Sequence, residues 1–140
     1  MAEWLPFALG SAGFAGATAI LAKIGVEGVP ATLATLIRTV VILVFITLVV
    51  AARRDWAQTG QLTARSVTFL ILSGVTTGLS WLCYYRALQH GPASLVAPLD
   101  KLSLIVAVLL AVAVLGERLT LWQWVGAGLM AAGALLLALV

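Results

Sequence analysis

The chain is poor in the residues that usually carry chemistry. In 140 residues there is one cysteine, Cys83, and one histidine, His90. A lone cysteine excludes a disulfide framework, and with a single histidine it excludes a Cys/His metal cluster. Charged side chains make up only 9% of the sequence, far too few for a soluble domain of this size. No nucleophile–base pair is present, so the reading is not an enzyme, with no cofactor and no metal. The sequence pI of about 9.6 invites a nucleic-acid partner. The eight basic residues are scattered along the chain rather than gathered in a patch, so nucleic acid is excluded too. What is abundant is apolar surface, at 63% of residues. The implied surroundings are the lipid bilayer, and the implied class is an all-α integral membrane protein.

Five apolar runs are legible, near 4–22, 31–52, 64–85, 92–114 and 121–140. Each has roughly the ~20 residues needed to cross a ~30 Å hydrocarbon core. The expected fold is a single domain, a bundle of five transmembrane helices. The first run is too long for a cleaved signal peptide and lacks a basic leader, with Glu3 its only charge. Pro6 falls in a first turn, where proline is tolerated, and Pro30 stands near the first helical position of the second span. Thr63 and Thr120 read as N-caps, and Gln123 completes capping-box spacing with Thr120. Trp4, Trp56, Trp122 and Trp124 mark one interface, Tyr84 and Tyr85 the other. Arg53, Arg54, Arg65 and Arg118 lie on the N-terminal side. With in-span charges counted, Lys23, Arg38, Arg86 and Lys101 balance them on the other side. A four-to-four tally encodes little orientation and is compatible with insertion both ways.

Asp100 and Lys101 interrupt the fourth run, and Arg38 interrupts the second. Charges at membrane depth are costly and mark pathways or binding sites. Counted from the same side, all three lie roughly 11–14 Å deep. Arg38 and Asp100 are the natural pair, which leaves Lys101 as net positive charge. By helical spacing Asp100 shares its face with Ala97, Ser103, Ala107 and Ala111. The third run carries Ser73, Thr77, Ser80 and Tyr84 as a polar stripe. Pro98 stands two residues before Asp100 and predicts a break in the fourth helix. Together these features predict a water-accessible cavity near the midplane. Its candidate substrate-binding residues are Arg38, Asp100, Lys101, Ser103, Thr77, Ser80 and Tyr84. The small pairs Gly74/Gly78 and Gly128/Ala132, with Gly126 and Gly133, predict helix contacts. The fifth span is the expected contact to a second copy.

Three segments resemble an EamA-type domain of the drug/metabolite transporter superfamily. They are Ala-Thr-Leu-Ile-Arg-Thr at 34–39, Ala-Ser-Leu-Val-Ala-Pro-Leu-Asp-Lys-Leu-Ser at 93–103, and Leu-Gly-Glu-Arg-Leu-Thr at 115–120. Larger members of that superfamily hold two inverted five-span repeats, and this chain is similar to one of them. The resemblance implies a multi-pass protein of the inner or plasma membrane that moves a small-molecule substrate. Four-span relatives carry a first-span glutamate for proton and cation exchange. Here no acid lies between Glu3 and Glu27, so that mechanism does not transfer. The basic residues at depth point instead to an anionic or zwitterionic solute, amino-acid-like or otherwise. The resulting expectation is a transporter working by alternating access as a homodimer, antiparallel in preference to parallel. The alternative is an accessory or assembly subunit of a larger membrane complex.

Overall fold

The computed structural model describes residues 3–139. Among them the regular elements are helical: α1 (Leu5–Gly25), α2 (Ala31–Arg53), a short 3-10 helix (Asp55–Gln61), α3 (Ala64–His90), α4 (Ala93–Asp100), α5 (Ser103–Leu115) and α6 (Leu121–Leu139). Five stretches are long and apolar enough to cross a membrane: α1, α2, α3, Ala93–Leu115 and the α6 segment Leu121–Ala138. The expected five-span architecture is present. The final residue of the fifth expected span, Val140, lies outside the described residues.

The helix ends follow from local chemistry. The Thr63 hydroxyl accepts the Ser66 N–H at 3.1 Å and caps α3. At α6 the Thr120 N–H donates to Gln123 Oε1 at 2.7 Å, and the Gln123 N–H donates back to Thr120 Oγ1 at 3.4 Å. Both halves of a capping box are therefore made. Pro30 is the N-cap of α2, with φ −54° and ψ 135°, one position earlier than the sequence pattern placed it. Gly116 ends α5 in the left-handed region at φ 70°, which glycine enters without a Cβ penalty. Arg54 ends α2 the same way at φ 58° but carries a side chain.

Two features of these helices matter for function. The third helix does not stop at Tyr85 but runs on to His90. Hydropathy ends the span where polar residues begin, yet a helix can continue past the hydrocarbon. Tyr85, expected as an interfacial anchor, is buried within the protein at 4% exposure. The fourth span is two helices, with Pro98 inside α4 and Lys101 and Leu102 between the segments. Around the break the N–H groups of Lys101, Leu102, Leu104 and Ile105 donate three residues back, at 3.0 Å in each case. Such i to i−3 bonding tightens the local turn.

The chain divides into two compact units. One comprises residues up to Leu21 and from His90 onward. Within it α6 packs against α4 and α5. Ala134 is buried and Ala127 and Ala131 are half-buried, a spacing of four and three that puts them on one inward face of α6. The other unit is Ala22–Gln89. Its buried residues are Ala22, Val26, Thr35, Tyr85 and Leu88, all near the α1–α2 turn and the C-terminal end of α3. Two hydrogen bonds clasp that end: Lys23 Nζ donates to Leu88 O at 2.6 Å, and Gln89 Nε2 donates to Val29 O at 2.6 Å. In contrast Leu43, Phe45 and Leu48 of α2 and Phe69, Leu70 and Ile71 of α3 are exposed, as lipid-facing surfaces are. The glycines expected to mediate helix contacts do not pack the chain against itself. A Cβ at Gly74, Gly78, Gly126, Gly128 or Gly133 would meet nothing within 4 Å.

Candidate functional site

Each unit contains one charged centre at membrane depth. In Ala22–Gln89 it is Arg38, half-buried on the eighth residue of α2. Its guanidinium carbon lies 3.8 Å from the centroid of the Trp81 ring and 5.9 Å from that of Tyr85. Nη1 donates to the Tyr85 hydroxyl at 3.3 Å. Trp81 and Tyr85 are one turn apart on α3, so both reach the same spot on α2. Tyr84 meets Tyr85 edge-on, with ring centroids 6.4 Å apart. A cation over an aromatic face in a poorly solvated place is held by about 2 kcal/mol or more. This hold keeps the positive charge without neutralising it.

Two threonine hydroxyls of α2 and α3 are satisfied by their own helices. Thr77 donates to Ser73 O at 2.8 Å and Thr35 to Ala31 O at 2.8 Å, both one turn back. This back-bonding is the usual resting state of hydroxyls in apolar helices. Thr77 and Ser80 are exposed, and Tyr84 is half-buried.

The other unit contains the second centre. Asp100 Oδ2 and Lys101 Nζ are 3.5 Å apart, with side chains 35% and 52% exposed respectively. Adjacent residues on a continuous helix point about 100° apart and do not meet. Here they meet beside the break, where Lys101 is the C-cap of α4. The break coincides with the pair. It also separates Asp100 from its expected companion: Ser103 begins α5 and is exposed, while Ala97 and Asp100 are half-buried. Tightened turns advance the helical phase, so a face extrapolated through residue 101 drifts.

The sequence pattern paired Arg38 with Asp100. Within its own unit Arg38 has aromatic partners, and within the other Asp100 has its neighbour Lys101. Among the residues of Ala22–Gln89, Arg38 makes no ion pair. Trp81 and Tyr85 were missed as partners of Arg38. A signal for them existed: a tryptophan and a tyrosine spaced i and i+4 at the depth of a lone arginine. Ending the third span at Tyr85 placed both near an interface and hid it.

A model of the EamA-like transporter family matches residues 2–139. An uncharacterized transporter in the cobO 3′ region of a Sinorhizobium species is 51% identical over 136 residues, covering 97% of this chain and 96% of that protein. An uncharacterized protein of Methanocaldococcus jannaschii is 37% identical over 73 residues, covering 52% of this chain and 53% of its own length. No solved structure matches the chain.

Proposed function

Because the chain belongs to the EamA-like transporter family, a group of multi-pass membrane transporters, we propose that it moves a small anionic or zwitterionic metabolite across the inner or plasma membrane by alternating access, as a homodimer. The observation that carries this reading is the broken fourth span with Asp100 and Lys101 at the break. An interrupted helix concentrates bending at one place, and transporters put such interruptions where solute is bound. Bending α4 against α5 would change the surroundings of both charges at once. Solute contacts are assigned to two centres separately. Arg38 acts with Thr77, Ser80 and Tyr84 at one, and Asp100 with Lys101 and Ser103 at the other.

Two features support a homodimer. The glycine positions of α6 leave open space where a second helix could approach closely. The balanced basic residues favour antiparallel insertion over parallel. Proteoliposomes containing only this chain test the whole reading. Saturable uptake of a labelled amino acid or organic acid, accelerated by the same solute inside, is expected of alternating access. Linear flux without counterflow would make it a channel. No flux, together with co-purification of a second membrane protein at fixed ratio, would make it an accessory subunit.

A further inference from the structure

Arg38 has the geometry of an anion-binding site rather than of a structural ion pair. Its charge rests on the Trp81 ring, 3.8 Å below the guanidinium carbon. A π face accepts no conventional hydrogen bond, so this contact occupies none of the five N–H donors. One donor goes to Tyr85 Oη at 3.3 Å. That bond is at the long end for N–H···O and is made to a neutral acceptor, the weaker kind. The acidic residues of the same unit are Glu27, exposed in the α1–α2 turn, and Asp55, paired with Arg53 at 4.0 Å. Neither is paired with Arg38 among the described residues. A guanidinium presents its donors along its edge, in the planar fork that matches a carboxylate.

We infer that Arg38 binds the carboxylate group of the transported solute through this edge, and that Trp81 and Tyr85 are specificity-determining residues of the site. Trp81 holds the guanidinium from its face and orients the fork. Tyr85 occupies one donor in the empty site and yields it to the carboxylate, so it competes weakly with the ligand. A neutral amide of the same shape lacks the charge and the second acceptor. An ammonium ion is repelled. The inference takes the transporter reading as its premise for what the ligand is, but it is tested by binding alone.

The test uses the full chain with Trp4, Trp56, Trp122 and Trp124 replaced by Phe, so that Trp81 is the sole indole fluorophore. Acetate, butyrate and benzoate are titrated at constant ionic strength against acetamide, butyramide, benzamide and butylammonium. At least one carboxylate should produce a saturable change in Trp81 emission that its amide and the ammonium do not. Arg38→Lys should weaken that carboxylate tenfold or more, because a point charge lacks the fork. Tyr85→Phe should tighten it about threefold, since a donor is released, and a purely structural Tyr85 would not move affinity in that direction. Size-exclusion profiles identify which variants are folded. If Arg38→Lys does not fold, the carboxylate-against-amide contrast and Tyr85→Phe still decide. The inference is overturned if no carboxylate gives a saturable change, if amides act equally, or if folded Tyr85→Phe binds no more tightly. Carboxylate binding without flux in proteoliposomes would sink the proposed function and leave this site standing. Full transport by folded Arg38→Gln would do the reverse.

Discussion

Two charged centres are kept in an apolar chain by opposite means. Arg38 is held from another helix, by residues more than forty positions away in sequence, through an aromatic face and a phenol. Asp100 and Lys101 are held by each other, at 3.5 Å, where the fourth span breaks between α4 and α5. The first arrangement ties two helices together and keeps its charge available. The second neutralises itself locally and leaves its helix free to bend. The difference teaches that charge at membrane depth can serve either as a fastener or as a marker of a hinge. Which of the two applies depends on whether the partner is distant or adjacent in the chain.

The comparison breaks most violently at Trp81. Trp81→Ala removes the ring and leaves the guanidinium without its main support, and should cost about 3 kcal/mol or more. Thermal unfolding in detergent should show a large drop, with Tyr85→Phe costing clearly less. Equal effects would mean that the ring does not carry the hold. Pro98→Ala probes the other centre. It restores a backbone donor and should let α4 and α5 join, slowing transport about tenfold with little loss of stability. Unchanged flux in proteoliposomes would show that the break does not move. Lys101→Ala should stay folded, since a charge that faces solute does not hold the fold together, yet lose solute binding. If Lys101→Ala transports normally, the second centre is structural. The independence of the two centres is tested by combining Arg38→Met with Asp100→Asn. Their effects on unfolding should add to within about 0.5 kcal/mol, and a larger coupling would restore the direct pairing inferred from opposite charge. The smallest effect belongs outside both centres. Arg54→Gly relieves a left-handed backbone at φ 58° and should raise stability by up to about 1 kcal/mol.

The architecture was legible because a bilayer demands long apolar runs, and five such runs leave few alternatives. A break in the fourth span was legible from Pro98, although α4 runs through the proline and the interruption falls at Lys101 and Leu102. Capping at Thr63 and Thr120 was legible from spacing alone. Less was visible of the candidate site. Sequence reveals that Arg38 needs a partner but not which helix lies beside it, and opposite charge is a poor guide when a ring can satisfy a guanidinium equally well. The continuation of α3 through Arg86 to His90 was hidden because hydropathy records the end of the hydrocarbon rather than the end of the helix. With that extension unseen, Tyr85 looked like an anchor instead of a buried hydrogen-bond partner.

The clasp at the end of α3 bears on how the protein is made. Lys23 reaches Leu88 O and Gln89 reaches Val29 O across sequence separations of 65 and 60 residues. As the chain is synthesised, the α1–α2 hairpin must wait for nearly the whole of α3 before its turn acquires these partners. Until then Lys23 lacks the Leu88 carbonyl, and the hairpin is the segment most exposed to quality-control proteases. An affinity tag inserted near Gly28 would prolong that vulnerable interval and lower yield. The same tag placed in the 3-10 segment after α2, whose residues are largely exposed, should be tolerated.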